Sequence, residues 1–220
     1  MIFDKEFKEY GYTDIVAYSG KHITEEMLDE CMILEKNFYP EGFSQDPKKL
    51  KACVMKFGQM CFVFKDTVKN VIVGYSFWFP TKTKVFNAFI KSNKALIEFE
   101  ESYFSSYNDK IVNLFLGSEA YITGYDIRKL HEAVEDVFSR RVLDLAYKGT
   151  RIKYIAIESC CKFEEEYIVK LLGLTQKVKK EKTTFYFDEY SPEKVYNSSK
   201  YASGIKQYYK SLKASNTDKE

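Results

Sequence analysis

Arginine, histidine, tryptophan and proline are all scarce in this chain, and its charges nearly cancel. Only four of its 34 basic residues are arginines, and 32 acidic residues leave a net charge of +2. Such a balance sets up no strong field toward nucleic acid or anionic lipid. Guanidinium forks, the groups best shaped for phosphate and guanine, are few. Nucleic acid is therefore not an expected partner. His22 and His131 are the only histidines, too few for a histidine-rich site, so no metal is expected. The five cysteines form no CxxC pair and have no histidine at zinc spacing. An odd number without an export signal points to reduced thiols in a cytoplasm. The opening MIFDKEFKEYGYTD carries acids and no long apolar stretch, unlike a signal peptide or a membrane span, so no membrane partner is expected.

What the chain does have is apolar and aromatic matter. Hydrophobic residues make up 45% of its 220 residues, with 18 Phe and 18 Tyr. That is enough for a sizeable core and too much for disorder, and the length suits one domain.

The pattern along the chain alternates between strands and helices. IVAYSG at 15–20 reads as a strand with a turn. Residues 24–38 have apolar positions at three- and four-residue spacing behind Thr24, a helix with a polar cap. Asp46 and Pro47 open a second helix that Gly58 closes. MCFVF at 60–64 and VIVGYSFWF at 71–79, joined by polar KDTVKN, predict a hairpin. Residues 85–105 have helical spacing at Phe86, Phe89, Ile90, Leu96, Ile97, Phe99 and Tyr103, with a break at Ser92–Asn93. IVNLFL at 111–116 reads as a strand ending at Gly117, followed by a polar turn. Asp126 can cap a helix over 127–147 that Gly149 stops. IKYIAIES at 152–159 is a central strand, CKFEEEYIVKLLG a further helix, and TTFYFDEY at 183–190 a last strand. After Pro192 a polar, Lys/Tyr-rich extension follows over 191–220, with a short helix near 203–213 and an end that frays. The class is mixed α/β or α+β, antiparallel in its first half.

The order β-α-α-β-β-(α)-β-α-β-α-β resembles the GNAT acyltransferase superfamily, whose members move an acyl group, usually acetyl, from coenzyme A to an amine. The resemblance covers roughly residues 13–190. It rests on LFLGSEAYITGYDIRKL, similar to that family's fourth strand, pyrophosphate loop and third helix, and on IKYIAIESCCKFEEEYIVKLLGL, similar to its fifth strand and fourth helix. It implies a GNAT-like central mixed sheet with an antiparallel N-terminal half, flanked by helices on both faces. Residues 1–190 would form one domain, with a helical insertion near 85–107.

The resemblance also implies a site. Main-chain amides of Leu116, Gly117 and Ser118 would polarise a thioester carbonyl. The loop from Tyr121 through Gly124, Tyr125 and Asp126 would hold the diphosphate of acetyl-CoA, by the free amides of a helix N-terminus. Of the family's loop positions, which fall on Tyr121, Gly124 and Asp126, Gly124 matches. A carboxylate at 126 would repel a diphosphate or else turn away to cap the helix. Tyr167 is the candidate general acid, two residues before the family's usual place at Val169. Glu119 is the candidate base, with Asn113 on the strand itself and Glu98 and Glu100 on the preceding segment. Cys160–Cys161 would lie near the thioester. The implied partners are a coenzyme A thioester and an unidentified amine, in a monomer or homodimer. The other reading is a domain of this shape without catalysis, binding a partner protein or small ligand in the same cleft.

Overall fold

The computed structural model describes residues 1–39, 43, 45–92, 100–160, 165, 168–194 and 199–217. The elements are β1 (Ile2–Phe3), α1 (Lys5–Glu9), β2 (Ile15–Ser19), α2 (Glu25–Phe38), α3 (Pro47–Phe57), β3 (Met60–Asp66), β4 (Val71–Thr81), α4 (Thr83–Lys91), β5 (Ile111–Tyr121), α5 (Ile127–Tyr147), β6 (Arg151–Ser159), α6 (Val169–Leu171), β7 (Gln176–Lys179), β8 (Thr184–Glu189) and α7 (Ala202–Thr217). The eight strands form one sheet in the order β1-β2-β3-β4-β5-β6-β8-β7. Among the described residues only β5 and β6 run parallel, and every other pairing is antiparallel.

Local chemistry explains the helix ends. The Thr24 side chain accepts the Met27 amide at 3.3 Å, and Asp46 accepts those of Lys48 and Lys49 at 2.8 and 3.4 Å. Alternation along the strands then sends side chains to two separate cores. On one face Trp78, Leu114, Leu116 and Phe64 pack under Leu130, Val134, Val137 and Phe138 of α5. On the other, Tyr75, Phe77, Phe79, Phe115 and Phe185 pack under α2, α3 and α4 through Leu28, Cys31, Leu50, Phe86 and Phe89. Burying each large aromatic contributes about 1.5–3 kcal/mol, and eleven of the bulkiest side chains are essentially fully covered.

Several expectations shift. The strand over 111–116 does not end at Gly117: it continues to Tyr121 through a bulge against β4, where the register slips between Phe77 and Trp78. The turn is thus shorter, residues 122–126. β1, α1 and β7 carry too few residues to show periodicity, and pairing alone reveals the two strands. Residues 202–209 also bury one side: Ala202 and Ile205 enter the core, and the Tyr209 hydroxyl accepts the Ile152 amide at 2.9 Å. The helical reading of 85–105 holds for α4, which ends at Lys91, and fails at 100–105, where a single 3-10 turn over Glu101–Tyr103 leads into extended Phe104 bridged to Thr81. Leu96, Ile97, Glu98 and Phe99 lie outside the described residues, as do Cys161 and Tyr167. No helix among the described residues is long and apolar enough to cross a membrane.

Candidate active site

The sheet forks between its two parallel strands. β5 and β6 pair from Ile111↔Arg151 to Leu116↔Ile157 and no further. Beyond that point β5 stays on β4 as far as Tyr121↔Gly74, while β6 follows β8 to Ser159↔Thr184. Gly117, the bulge residue, sits where they part. It is the only residue from Val112 to Tyr121 that is not buried.

Past the fork the inner edge of β5 has no strand partner among the described residues. Ile122 donates its amide to Val73 O at 3.0 Å. Alternation therefore turns the main chain of Glu119 the other way, away from β4. A side chain meets it there. The Tyr39 hydroxyl, at the end of α2, donates to Glu119 O at 2.9 Å and accepts from Glu119 N at 3.2 Å. One phenol thus takes both the donor and the acceptor that an adjoining strand would take.

The two faces of this edge carry different chemistry. Ser118 points toward α2. Its hydroxyl lies 3.1 Å from Glu35 Oε2 and 3.0 Å from the Tyr75 hydroxyl, which itself donates to Glu35 Oε2 at 3.0 Å. Glu35 Oε1 accepts the Gln45 amide at 2.7 Å. Only 2% of Glu35 is exposed. Burial pushes its carboxyl above its ordinary value, against the pull of these hydrogen bonds. Glu119 points the opposite way, toward α5, and its carboxylate accepts from the Tyr121 hydroxyl at 2.5 Å and the Ser76 hydroxyl at 3.2 Å. Tyr121 is itself core. Its ring stacks on Phe64, packs 4.9 Å from His131, and lies so close over Gly74 that a methyl there would sit 2.4 Å from Cδ1. The same lack of solvent lowers the His131 pKa to about 4.

The loop that follows is open. Gly124 has φ +99°, a left-handed conformation that suits glycine, with nothing within 4 Å of where a Cβ would stand. Asp126 caps α5, accepting the Lys129 amide at 3.3 Å, and its carbonyl accepts from Tyr12 at 2.8 Å. Tyr125 donates to Asp66 at 2.7 Å, and Lys69 Nζ lies 3.1 Å from its hydroxyl, a cation beside the loop. Cys160 is half-buried at the end of β6.

No family model and no curated protein sequence matches the chain. Solved structures do. The loading GNATL domain of CurA from Lyngbya majuscula superposes with a TM-score of 0.52 at 12% identity, over 80% of this chain and 97% of that one. The NatC complex bound to Gag peptide and CoA matches at 0.53 and 9%, over 81% and 99%. The chain has the GNAT fold. At these identities the likeness speaks for the GNAT architecture and its sheet, and the side chains are this chain's own.

Of the residues singled out in the sequence, Leu116, Gly117, Ser118, Glu119, Tyr121, Gly124, Tyr125 and Asp126 fall on one continuous path along the fork and loop. Glu35 and Tyr39 join them from α2 and were not singled out. A signal was present: Leu28, Cys31, Glu35 and Tyr39 follow one face of a helix, so an acid sits in the apolar stripe. Among the described residues no group of three His, Cys, Asp or Glu could hold a metal ion.

Proposed function

We propose that this protein is an N-acyltransferase that uses an acyl-coenzyme A thioester, acetyl-CoA in the simplest case, to acylate an amine. The observation that carries this reading is the fork. Gly117 opens the sheet there, and the Glu119 amide and carbonyl are satisfied by a phenol that a pantetheine amide can replace. The coenzyme supplies an activated acyl group, and the chain's task is to hold and polarise it. Of the amides expected to stabilise an oxyanion on the acyl carbon, those of Leu116 and Gly117 flank the fork, while by the same alternation that of Ser118 turns toward β4. Gly124 leaves room for a diphosphate at the start of α5, with Lys69 as the nearby cation. Tyr167 or water would return a proton to the departing thiolate.

The fit is uneven, and the uneven part favours a second reading. Asp126 already satisfies an amide at the N-terminus of α5 with a full negative charge. A domain that has given up the diphosphate for a different ligand or a partner protein would look like this. Isothermal titration with acetyl-CoA separates the two. Saturable heat, with a thermal shift, is the expected result. No heat and no shift at millimolar ligand overturns the acyltransferase reading and leaves the binding domain.

A further inference from the structure

An amine attacks a thioester only as the free base, so an enzyme for this reaction needs a group that takes a proton from the ammonium form. Glu119, on β5, is the nearest acid along the chain. Its carboxylate, however, lies on the α5 face, held by Tyr121 and Ser76, and Ser76 is held in turn by the Trp78 indole at 3.0 Å. Face, and not burial, separates the candidates, since Glu119, Ser118 and Glu35 are 5%, 3% and 2% exposed. The fork opens at Gly117, and the side chain that follows the opening is Ser118, on the other face.

We propose that Ser118 and Glu35 form the proton relay for the acceptor amine, with the Ser118 hydroxyl touching the amine and Glu35 receiving the proton through it. This rests on the acyltransferase reading. The geometry supports it at three points. Ser118 Oγ lies 3.1 Å from Glu35 Oε2, within reach of a direct transfer. Tyr75, 3.0 Å from both groups, fixes them relative to each other. Glu35 stands one turn before Tyr39, whose hydroxyl already reaches the Glu119 main chain inside the fork, so one helix end serves both. Burial adds to this, since a carboxyl pushed above its ordinary value is a stronger base near neutral pH. Among the described residues, the ionisable groups facing Glu35 are Tyr75 on β4 and Cys31 on α2. Burial pushes Tyr75 and Cys31 well up, so they stay neutral while the carboxyl titrates.

The step balances. The ammonium gives a proton to Ser118 Oγ as Ser118 passes its own to Glu35. The freed nitrogen pair forms the C–N bond to the acyl carbon, the C–S bond breaks, and the pair leaves with sulfur. The second nitrogen proton goes to the thiolate, giving amide and free thiol. Glu35 then releases its proton to solvent.

The test uses acetyl-CoA with glycinamide and n-butylamine as primary-amine probes, following thiol release from pH 5 to 10, with acetyl-CoA affinity measured in parallel. In the wild type the rate should rise with pH and level off as Glu35 ionises. Glu35→Gln and Ser118→Ala should each lose about 10²-fold and abolish the levelling, while acetyl-CoA still binds. Tyr75→Phe removes a hydrogen bond to the carboxylate and should move the acid limb to higher pH. A merely structural role for Tyr75 would leave that limb in place. Thermal unfolding of each variant checks that it is folded. If the wild type binds acetyl-CoA and yet Glu35→Gln keeps rate and profile, or neither amine is acylated, the relay is wrong. If acetyl-CoA does not bind at all, the acyltransferase reading beneath it fails instead.

Discussion

The fork and the loop are neighbours on one strand and are built in opposite ways. From Leu116 to Tyr121 nearly every side chain is buried and engaged, and Glu119 alone joins Ser76, Tyr121 and, through its main chain, Tyr39. From Ile122 to Asp126 the chain is largely exposed, with an unobstructed Gly124 and a capping carboxylate. The fork is preorganised, its polar groups placed at the cost of core space. The loop has room and little else. On the acyltransferase reading proposed above, shape recognition would belong to the fork, and charge recognition at the loop would be compromised by one residue.

The largest expected effect tests how firmly the fork is packed. His131 lies against Tyr121, and its pKa is lowered from the ordinary 6.5 to about 4. A depressed histidine is neutral in the folded chain and takes up its proton on unfolding. The stability it contributes is thus present above pH 6.5 and lost as pH falls toward 4, by about 3 kcal/mol. Urea unfolding at steps across this window should show the slope, and His131→Leu should flatten it. Glu35, raised instead, works with the opposite sign: its contribution is full at low pH and fades as pH rises through its folded value. An unchanged slope in His131→Leu would mean that the fork is wetter than its packing implies.

A smaller effect tests whether the fork is prepared for a ligand. Tyr39→Phe removes two hydrogen bonds to Glu119 and should lower stability by about 1–2 kcal/mol. If a pantetheine amide takes the same two groups, the variant should bind acetyl-CoA roughly five- to thirtyfold more tightly, since the phenol no longer competes. Weaker binding in the variant would show that Tyr39 assists the ligand instead of yielding to it.

The smallest effect concerns the loop. Asp126→Asn keeps a capping side chain and removes the charge. At an exposed position this should tighten acetyl-CoA only about three- to tenfold, and less at high salt. Weaker binding would mean that the carboxylate orients the loop and does not oppose the diphosphate.

The same contrast explains what could be read in advance. Helices α2, α3 and α5 were legible because their caps and periodicity are local: Thr24, Asp46 and Asp126 each bond an amide two or three residues away. The turn at Gly124 and the cap at Asp126 were legible for the same reason, whereas Tyr121, expected in the loop, lies on β5. The fork was not. Strand β5 passes through Gly117, a residue that in isolation signals a stop, because pairing with β4 carries it onward. Glu35 and Ser118 are 83 positions apart, and Tyr39 and Glu119 are 80 apart. No local pattern joins such pairs, and only the order of strands brings them together. The end of the chain was legible in part: the helix expected near 203–213 is present in α7, but lysine-rich composition hides Ala202 and Ile205, which it gathers onto one side.

The outer margins of the sheet have a bearing on how the molecule behaves in a crowd. One margin is β1, two residues long. The other is β7, the tetrapeptide QKVK, which projects Lys177 and Lys179. A copy docking along β7 would set ammonium against ammonium, and β1 offers too little backbone to seed a new row. Concentrated preparations should therefore resist stacking rim to rim into fibrils.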